Sequence, residues 1–138
     1  MSHQCKALVF RCMDFRITAS KFSALLSSLG YNDGDYDLVS LAGSAKACLS
    51  DVAAEAAMVL KQIELSEKLH HTSEVVIFYH DNCGAYGIAD PAEEHQVQVE
   101  DLKKIADLAS QKFPSLKIQA YIIKGVPEGE LQLEKVSI

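Results

Sequence analysis

Residues 74–84 read EVVIFYHDNCG and contain the clearest strand signal in the chain. The run of apolar, β-branched and aromatic residues at 75–78 predicts a buried strand. This strand leads directly into His80 and Cys83, which are spaced so that one turn could direct both side chains to the same ion. Gly84 follows and would allow the backbone to approach closely. The segment therefore predicts a strand whose carboxyl end carries ligand-type side chains.

Strands and helices alternate along the rest of the chain. Apolar runs predict further strands at residues 7–10, 36–41, 116–123 and 130–136, and helical spacing predicts helices at 18–29, 50–69 and 93–113. Thr18 or Ser20 is expected to cap the first helix and Ser50 the second. The order βαβαβαββ favours a mostly parallel sheet with helices on both faces. We therefore expect an α/β three-layer sandwich with four mostly parallel strands and an antiparallel edge strand, forming a single domain over residues 1–138.

The composition narrows the classes of function. Hydrophobic residues make up 49% of the 138 residues, enough for a core, and the formal net charge is −6. An acidic chain without a basic cluster is a poor binder of nucleic acid, and no apolar run is long enough to span a membrane. The first six residues lack the pattern of a signal peptide, so we expect a cytoplasmic protein whose four cysteines are reduced.

Ligand-type side chains follow two of the predicted strands. Cys12 and Asp14 follow the first strand, and His80 and Cys83 follow the third. Because ligands bind beyond the carboxyl ends of strands in doubly wound sheets, the four side chains would meet if these strands are neighbours. Two thiolates, an imidazole and a carboxylate are a suitable ligand set for Zn²⁺. An isolated cysteine at a strand end, in contrast, is usually a small buried hydrophobic residue.

Asp14 and Arg16 form a second informative pair. They lie two residues apart in a predicted loop, close enough for a bidentate ion pair. On one reading this is a surface salt bridge of little energetic value. On the other, Arg16 holds the carboxylate away from the metal and leaves the fourth ligand position to water, as in catalytic zinc sites.

The remaining cysteines and histidines are interpreted as structural or incidental. Cys5 precedes a strand and Cys48 lies near a helix start, and neither shares a predicted strand end with other ligand-type residues. His70 and His71 are expected at a solvated helix end. His95 is expected to be an exposed helix residue, although it could relay protons if it lay near the site.

Two motifs resemble those of the β-class carbonic anhydrases. Residues 12–16, Cys-Met-Asp-Phe-Arg, resemble the Cys-x-Asp-x-Arg motif of that family, and residues 80–85 resemble its His-x-x-Cys-Gly-Ala. Ala42 and Gly43 resemble part of its Asn-Ala-Gly-Asn segment, although Leu41 and Ser44 replace the two asparagines. The motifs occur in family order, so the chain is identified as a small, divergent member.

The resemblance implies a zinc enzyme. Cys12, His80 and Cys83 would bind Zn²⁺, and the reaction would be reversible hydration of carbon dioxide to bicarbonate, with zinc-bound water or hydroxide as the nucleophile. Asp14 would either ligate zinc in a resting form or, paired with Arg16, orient that water. The family also implies a homodimer or a higher homo-oligomer.

Two alternatives stay open at this stage. The same scaffold is known to hydrolyse carbon disulfide or carbonyl sulfide, which are linear triatomic substrates like carbon dioxide. The replacements at Leu41 and Ser44 are also compatible with a non-enzymatic, zinc-stabilised binding domain.

Overall fold

The computed structural model describes residues 3–138 and contains a five-stranded sheet with helices on both faces. No helix among these residues is both long and apolar enough to cross a membrane. A short 3-10 helix, Lys46–Leu49, precedes the second α-helix. In chain order the elements are β1 (Ala7–Cys12), α1 (Ala19–Ser28), β2 (Tyr36–Leu41), α2 (Ala53–His70), β3 (Glu74–His80), α3 (Pro91–Lys112), β4 (Lys117–Lys124) and β5 (Gln132–Val136).

The strand order is β2-β1-β3-β4-β5. The first four strands are parallel, and β5 pairs antiparallel with β4 at one edge. This confirms the predicted fold class. Because β2 lies on one side of β1 and β3 on the other, the chain reverses its direction of winding between β1 and β3, which is where such folds bind ligands.

Two apolar clusters fill the space above and below the sheet. Alternate side chains of each strand point to opposite faces. On one face Phe78 packs between the rings of Phe22 in α1 and Tyr121 in β4, with ring centroids 5.1 and 5.4 Å apart. On the other face Ile77 joins the cluster that contains residues of α2 and α3. The sheet is therefore the middle of three layers, as predicted.

A crevice opens between β1 and β3 at their carboxyl ends. Pairing between these two strands stops at Phe10 and Ile77. Each strand then continues against its other neighbour, β1 as far as Cys12 and β3 as far as His80. The two strand ends therefore face each other without pairing, which leaves room for side chains between them.

Two helix starts differ from the sequence-based predictions. Ser50 does not cap α2, which begins at Ala53 after Val52. Its hydroxyl instead accepts a hydrogen bond from the Val52 N–H, because Ser50 directly follows the 3-10 helix and lies two residues before the cap position, Val52. The third helix begins at Pro91 and not at residue 93, since the Asp90 side chain caps it and proline suits the first helical position. Thr18 caps α1 as expected.

Candidate metal centre at the carboxyl ends of β1 and β3

The structure brings together the three residues predicted as metal ligands. The Sγ atoms of Cys12 and Cys83 and one ring nitrogen of His80 all lie within 4.8 Å of one another. Their exposed fractions are 6%, 5% and 1%. Cys12 and His80 are the last residues of their strands, and Cys83 follows in the loop after β3. Neighbouring parallel strands that end at one edge of the sheet account for this convergence.

The His80 ring is oriented for binding a cation. Its Nδ1 lies 2.7 Å from the Asp81 carbonyl oxygen and donates to it, which leaves Nε2 as the unprotonated nitrogen. Nε2 is buried and has no hydrogen-bond partner within residues 3–138. A buried nitrogen lone pair without a partner is costly unless a ligand satisfies it.

The charges around the crevice also favour a cation. Cys83 lowers the pKa of the Cys12 thiol, and the resulting thiolate raises the pKa of Cys83. The backbone N–H of Gly43 also favours the Cys12 thiolate, so the Ala42–Gly43 segment after β2 lies beside the site. A negative charge on sulfur, a second thiol and a free imidazole nitrogen form a donor set that fits Zn²⁺.

Asp14 lies beside these donors without joining them. Its Oδ2 is 3.7 Å from His80 Nε2. Arg16 donates to both carboxylate oxygens, from Nε at 3.0 Å and from Nη2 at 2.8 Å. These hydrogen bonds from Arg16 lower the pKa of Asp14 to about 2. Asp14 is therefore ionised and fixed in position at neutral pH.

Arg16 also joins the two loops of the site. Nη1 donates to the side-chain oxygen of Asn82 at 2.8 Å, and Nη2 donates to the Asn82 carbonyl at 2.9 Å. The residue thus connects the loop after β1 to the loop after β3, which a simple surface salt bridge would not do.

Two buried polar residues of α3, absent from the sequence-based prediction, support the loop after β3. Glu94 accepts hydrogen bonds from the backbone N–H groups of Asn82 at 2.7 Å and Cys83 at 2.8 Å. Gln98 donates to the carbonyl of His80 at 2.8 Å. Both residues are almost fully buried. Their signal in the sequence is the four-residue spacing from Glu94 through Gln98 to Leu102, which places them on the apolar face of the helix.

Three of the remaining predictions require correction. Cys5 does have other ligand-type residues close to it, because its Sγ lies within 4.8 Å of donor atoms of Asp37 and His70. His70, at the end of α2, is therefore in contact with other side chains and is not simply the solvated residue that the sequence predicts. His95 is half-buried and its Nε2 lies 2.7 Å from a carboxylate oxygen of Glu134, so α3 is tied to β5 at this position. Sequence spacing gave no indication of these contacts, since each joins residues more than 30 positions apart.

Comparison with known proteins shows which family the chain matches. The family described as "Putative carbonic anhydrase" matches residues 2–136. An uncharacterized protein of Rickettsia conorii is 28% identical over 129 residues, covering 88% of this chain and 68% of its own.

Solved structures show the same fold. The β-carbonic anhydrase isoform I of Trichomonas vaginalis superposes with a TM-score of 0.61 at 15% identity, covering 99% of this chain and 86% of its own. One of two tetrameric β-carbonic anhydrases of Sordaria macrospora gives a TM-score of 0.54 at 15% identity, covering 97% and 81%. The family match extends over nearly the whole chain. The protein therefore belongs to this carbonic anhydrase family, as a divergent member with the β-carbonic anhydrase fold.

Proposed function

We propose that the protein is a zinc enzyme that catalyses the reversible hydration of carbon dioxide to bicarbonate and a proton. Family membership supports the class of reaction. The observation that carries the proposal is the unpartnered Nε2 of buried His80, which lies among two cysteine sulfurs and 3.7 Å from an ionised carboxylate. Cys12, His80 and Cys83 would hold the ion.

Zinc bound there would supply Lewis acidity, which lowers the pKa of water and makes hydroxide available near neutral pH. Two thiolates donate more charge than imidazoles and would weaken this effect, so a nearby hydrogen-bond acceptor has a clear role. Asp14 is suited to that role because it stays ionised and points one oxygen towards the site.

We assign Asp14 to accept a hydrogen bond from the attacking water and so to orient its lone pair towards the carbon of carbon dioxide. Arg16 is a positioning residue. Its two hydrogen bonds to the carboxylate hold Asp14 out of the set of metal ligands, and its contacts with Asn82 fix this arrangement relative to His80. A fourth ligand position is thereby left for the reacting water.

The ion pair also favours an enzyme over a zinc-stabilised binding domain. A closed structural site needs four protein ligands and no orienting carboxylate. Here three donors converge, and a fixed carboxylate stands beside them.

The proposal is tested by stopped-flow hydration of carbon dioxide with the zinc-loaded protein. We expect turnover that disappears in Cys83→Ser and persists in Cys48→Ser, because Cys48 is buried within the apolar cluster on the α2 and α3 face. Carbon disulfide and carbonyl sulfide are assayed in parallel by sulfide release. Sulfide release with negligible carbon dioxide hydration would overturn the choice of substrate, and failure of the folded wild-type protein to bind zinc would overturn the site.

A homo-oligomer is part of the proposal. The Sordaria macrospora proteins with this fold are tetrameric. Two large apolar side chains beside Asp14, Met13 and Phe15, are 63% and 87% exposed, and a second copy could cover them. We expect a dimer or larger assembly by sedimentation at micromolar concentration, and a strictly monomeric mass would contradict it.

We also propose a reducing compartment such as the cytoplasm. All four cysteines are free thiols. Oxidation of Cys12 with Cys83 would remove two of the three zinc ligands, so the proposed activity requires reduced sulfur.

A further inference from the structure

Three ligand-type side chains meet at the opposite end of the sheet. Cys5 lies just before β1, Asp37 is the second residue of β2, and His70 is the last residue of α2. A sulfur, a carboxylate oxygen and a ring nitrogen from these residues lie within 4.8 Å of one another. Cys5 and Cys12 are seven positions apart along a nearly extended segment, so the two clusters are about 23 Å apart. They are separate sites.

The backbone and neighbouring side chains hold the three donors in place. The Cys5 N–H donates to the His70 carbonyl at 3.0 Å, which ties two of the ligand residues together. The hydroxyl of Ser66 donates to Asp37 at 2.7 Å. Pairing of β1 with β2 places Asp37 opposite Leu8. The donors are therefore positioned by the fold before any ion arrives, which lowers the entropic cost of binding.

The cluster contains one more ligand-type group than an ordinary ion pair. His70 Nδ1 lies 2.9 and 2.7 Å from the two oxygens of Asp37. Both side chains are more than a quarter exposed, so this pair alone contributes little to stability. An ion pair has no need of a sulfur, yet Cys5 Sγ completes the set. Thiolate, imidazole and carboxylate together are the three ligand types that zinc uses in proteins.

A cleft gives access to the cluster. Its volume is about 250 Å³, and its lining includes His3, Gly34 and Tyr36 in addition to the three ligand-type residues. A hydrated ion could enter from solvent and keep a water molecule as its fourth ligand. On binding, the ion would replace the proton of the Cys5 thiol, which would pass to solvent, and neutral His70 would carry its proton on Nε2 so that Nδ1 could bind the ion.

We propose that Cys5, Asp37 and His70 form a second zinc site, independent of the one at the carboxyl ends of β1 and β3. The bound ion would fasten the segment before β1 to the edge strand β2 and to the end of α2. It would stabilise this edge of the sheet and take no part in carbon dioxide hydration.

Zinc counting tests the proposal. Chelator-treated protein is dialysed against buffered free Zn²⁺, and the bound zinc is measured by atomic spectroscopy. We expect two ions per chain for the wild type and one for both Cys5→Ser and His70→Asn. The matched controls Cys48→Ser and His71→Asn are expected to retain two, because neither residue belongs to a cluster of possible ligands within residues 3–138. Asparagine also tolerates the left-handed backbone of residue 71, where φ is 53°.

Two results would overturn the second site. One is a wild-type protein that binds one ion and loses none in Cys5→Ser. The other is two ions that persist in both Cys5→Ser and His70→Asn. Cys83→Ser separates this proposal from the proposed function. Loss of one ion in that variant but none in the Cys5 and His70 variants would refute the second site alone. Loss of one ion in the Cys5 and His70 variants but none in Cys83→Ser would refute the catalytic site alone.

Discussion

The two ends of the sheet carry similar donors in different surroundings. At the carboxyl ends, His80 donates through Nδ1 to a backbone carbonyl, so Nε2 faces the two sulfurs and has no hydrogen-bond partner in the described part of the chain. At the amino ends, His70 directs Nδ1 to the carboxylate of Asp37 and is partly exposed to water. The first arrangement leaves a buried lone pair unsatisfied and calls for an ion. The second is stable without one. The types of residue alone therefore do not show which site needs an ion more. The burial of each histidine and the partner of its Nδ1 atom distinguish the two sites.

The largest expected difference concerns activity at the carboxyl end. His80→Ala removes one of the three proposed zinc ligands, and we expect carbon dioxide hydration to fall to the uncatalysed background. His71→Asn serves as the control with normal turnover, because His71 lies at the end of α2 outside both clusters of ligands. Stopped-flow assays of both variants check this. Substantial hydration by His80→Ala would show that the chemistry does not depend on this end of the sheet.

Asp14→Asn is expected to have the next largest effect. The amide keeps the size of the side chain but loses the charge that accepts from Arg16. We expect kcat to fall by about 100-fold, the usual scale for a positioned proton-accepting group, while zinc content stays the same. Asp107→Asn, on the exposed side of α3, is the control. A normal kcat in Asp14→Asn would support a structural zinc site instead.

Alanine substitution of two glycines, one near each end of the sheet, allows the rigidity of the two regions to be compared. Gly125 and Gly34 both have left-handed backbones, with φ of 81° and 90°. A Cβ on Gly125 would lie 2.0 Å from the carbonyl oxygen of Glu130, whereas one on Gly34 would meet nothing within 4 Å. The N–H of Gly125 also donates to Asp81, in the loop that carries His80.

We expect Gly34→Ala to cost about 1 kcal/mol of unfolding free energy through its backbone conformation. Gly125→Ala should cost about 2 kcal/mol more, because a backbone segment must move. Urea unfolding of both variants measures the difference. Equal losses would indicate that the carboxyl-end loops are no more tightly packed than the turn before β2.

The smallest expected effect concerns the support of the ligands. Glu94→Gln leaves one oxygen to accept from two N–H groups, those of Asn82 and Cys83. We expect zinc affinity to fall by about tenfold, as for other residues that position a metal ligand. Competition with a chromophoric chelator measures it, with the exposed Glu93→Gln as control. An identical zinc affinity for the two variants would show that Glu94 does not help to position the zinc ligands.

The sequence predicted the parts of this structure that depend on local pattern. Strand β2 was predicted at its observed bounds, and Cys12 and His80 were placed together because they end strands of a parallel sheet. Ser50 was misassigned because the 3-10 helix before α2 has no clear periodicity of its own.

The features that the sequence did not predict depend on packing between distant parts of the chain. Glu94 and Gln98 are polar, and although their spacing from Leu102 places them on the apolar face of α3, only the position of the helix against the loop after β3 shows which groups they bind. The cluster of Cys5, Asp37 and His70 likewise depends on how β2 and α2 meet, which residue spacing does not encode.

X-ray absorption at the zinc edge, recorded with one equivalent of zinc bound, tests the central claim most directly. Occupation of the carboxyl-end site predicts two sulfur neighbours at about 2.3 Å and the remaining neighbours nitrogen or oxygen at about 2.0 Å. The amino-end cluster can contribute only the sulfur of Cys5. A spectrum with a single sulfur, or with none, would contradict the assignment of Cys12, His80 and Cys83 as the primary metal centre.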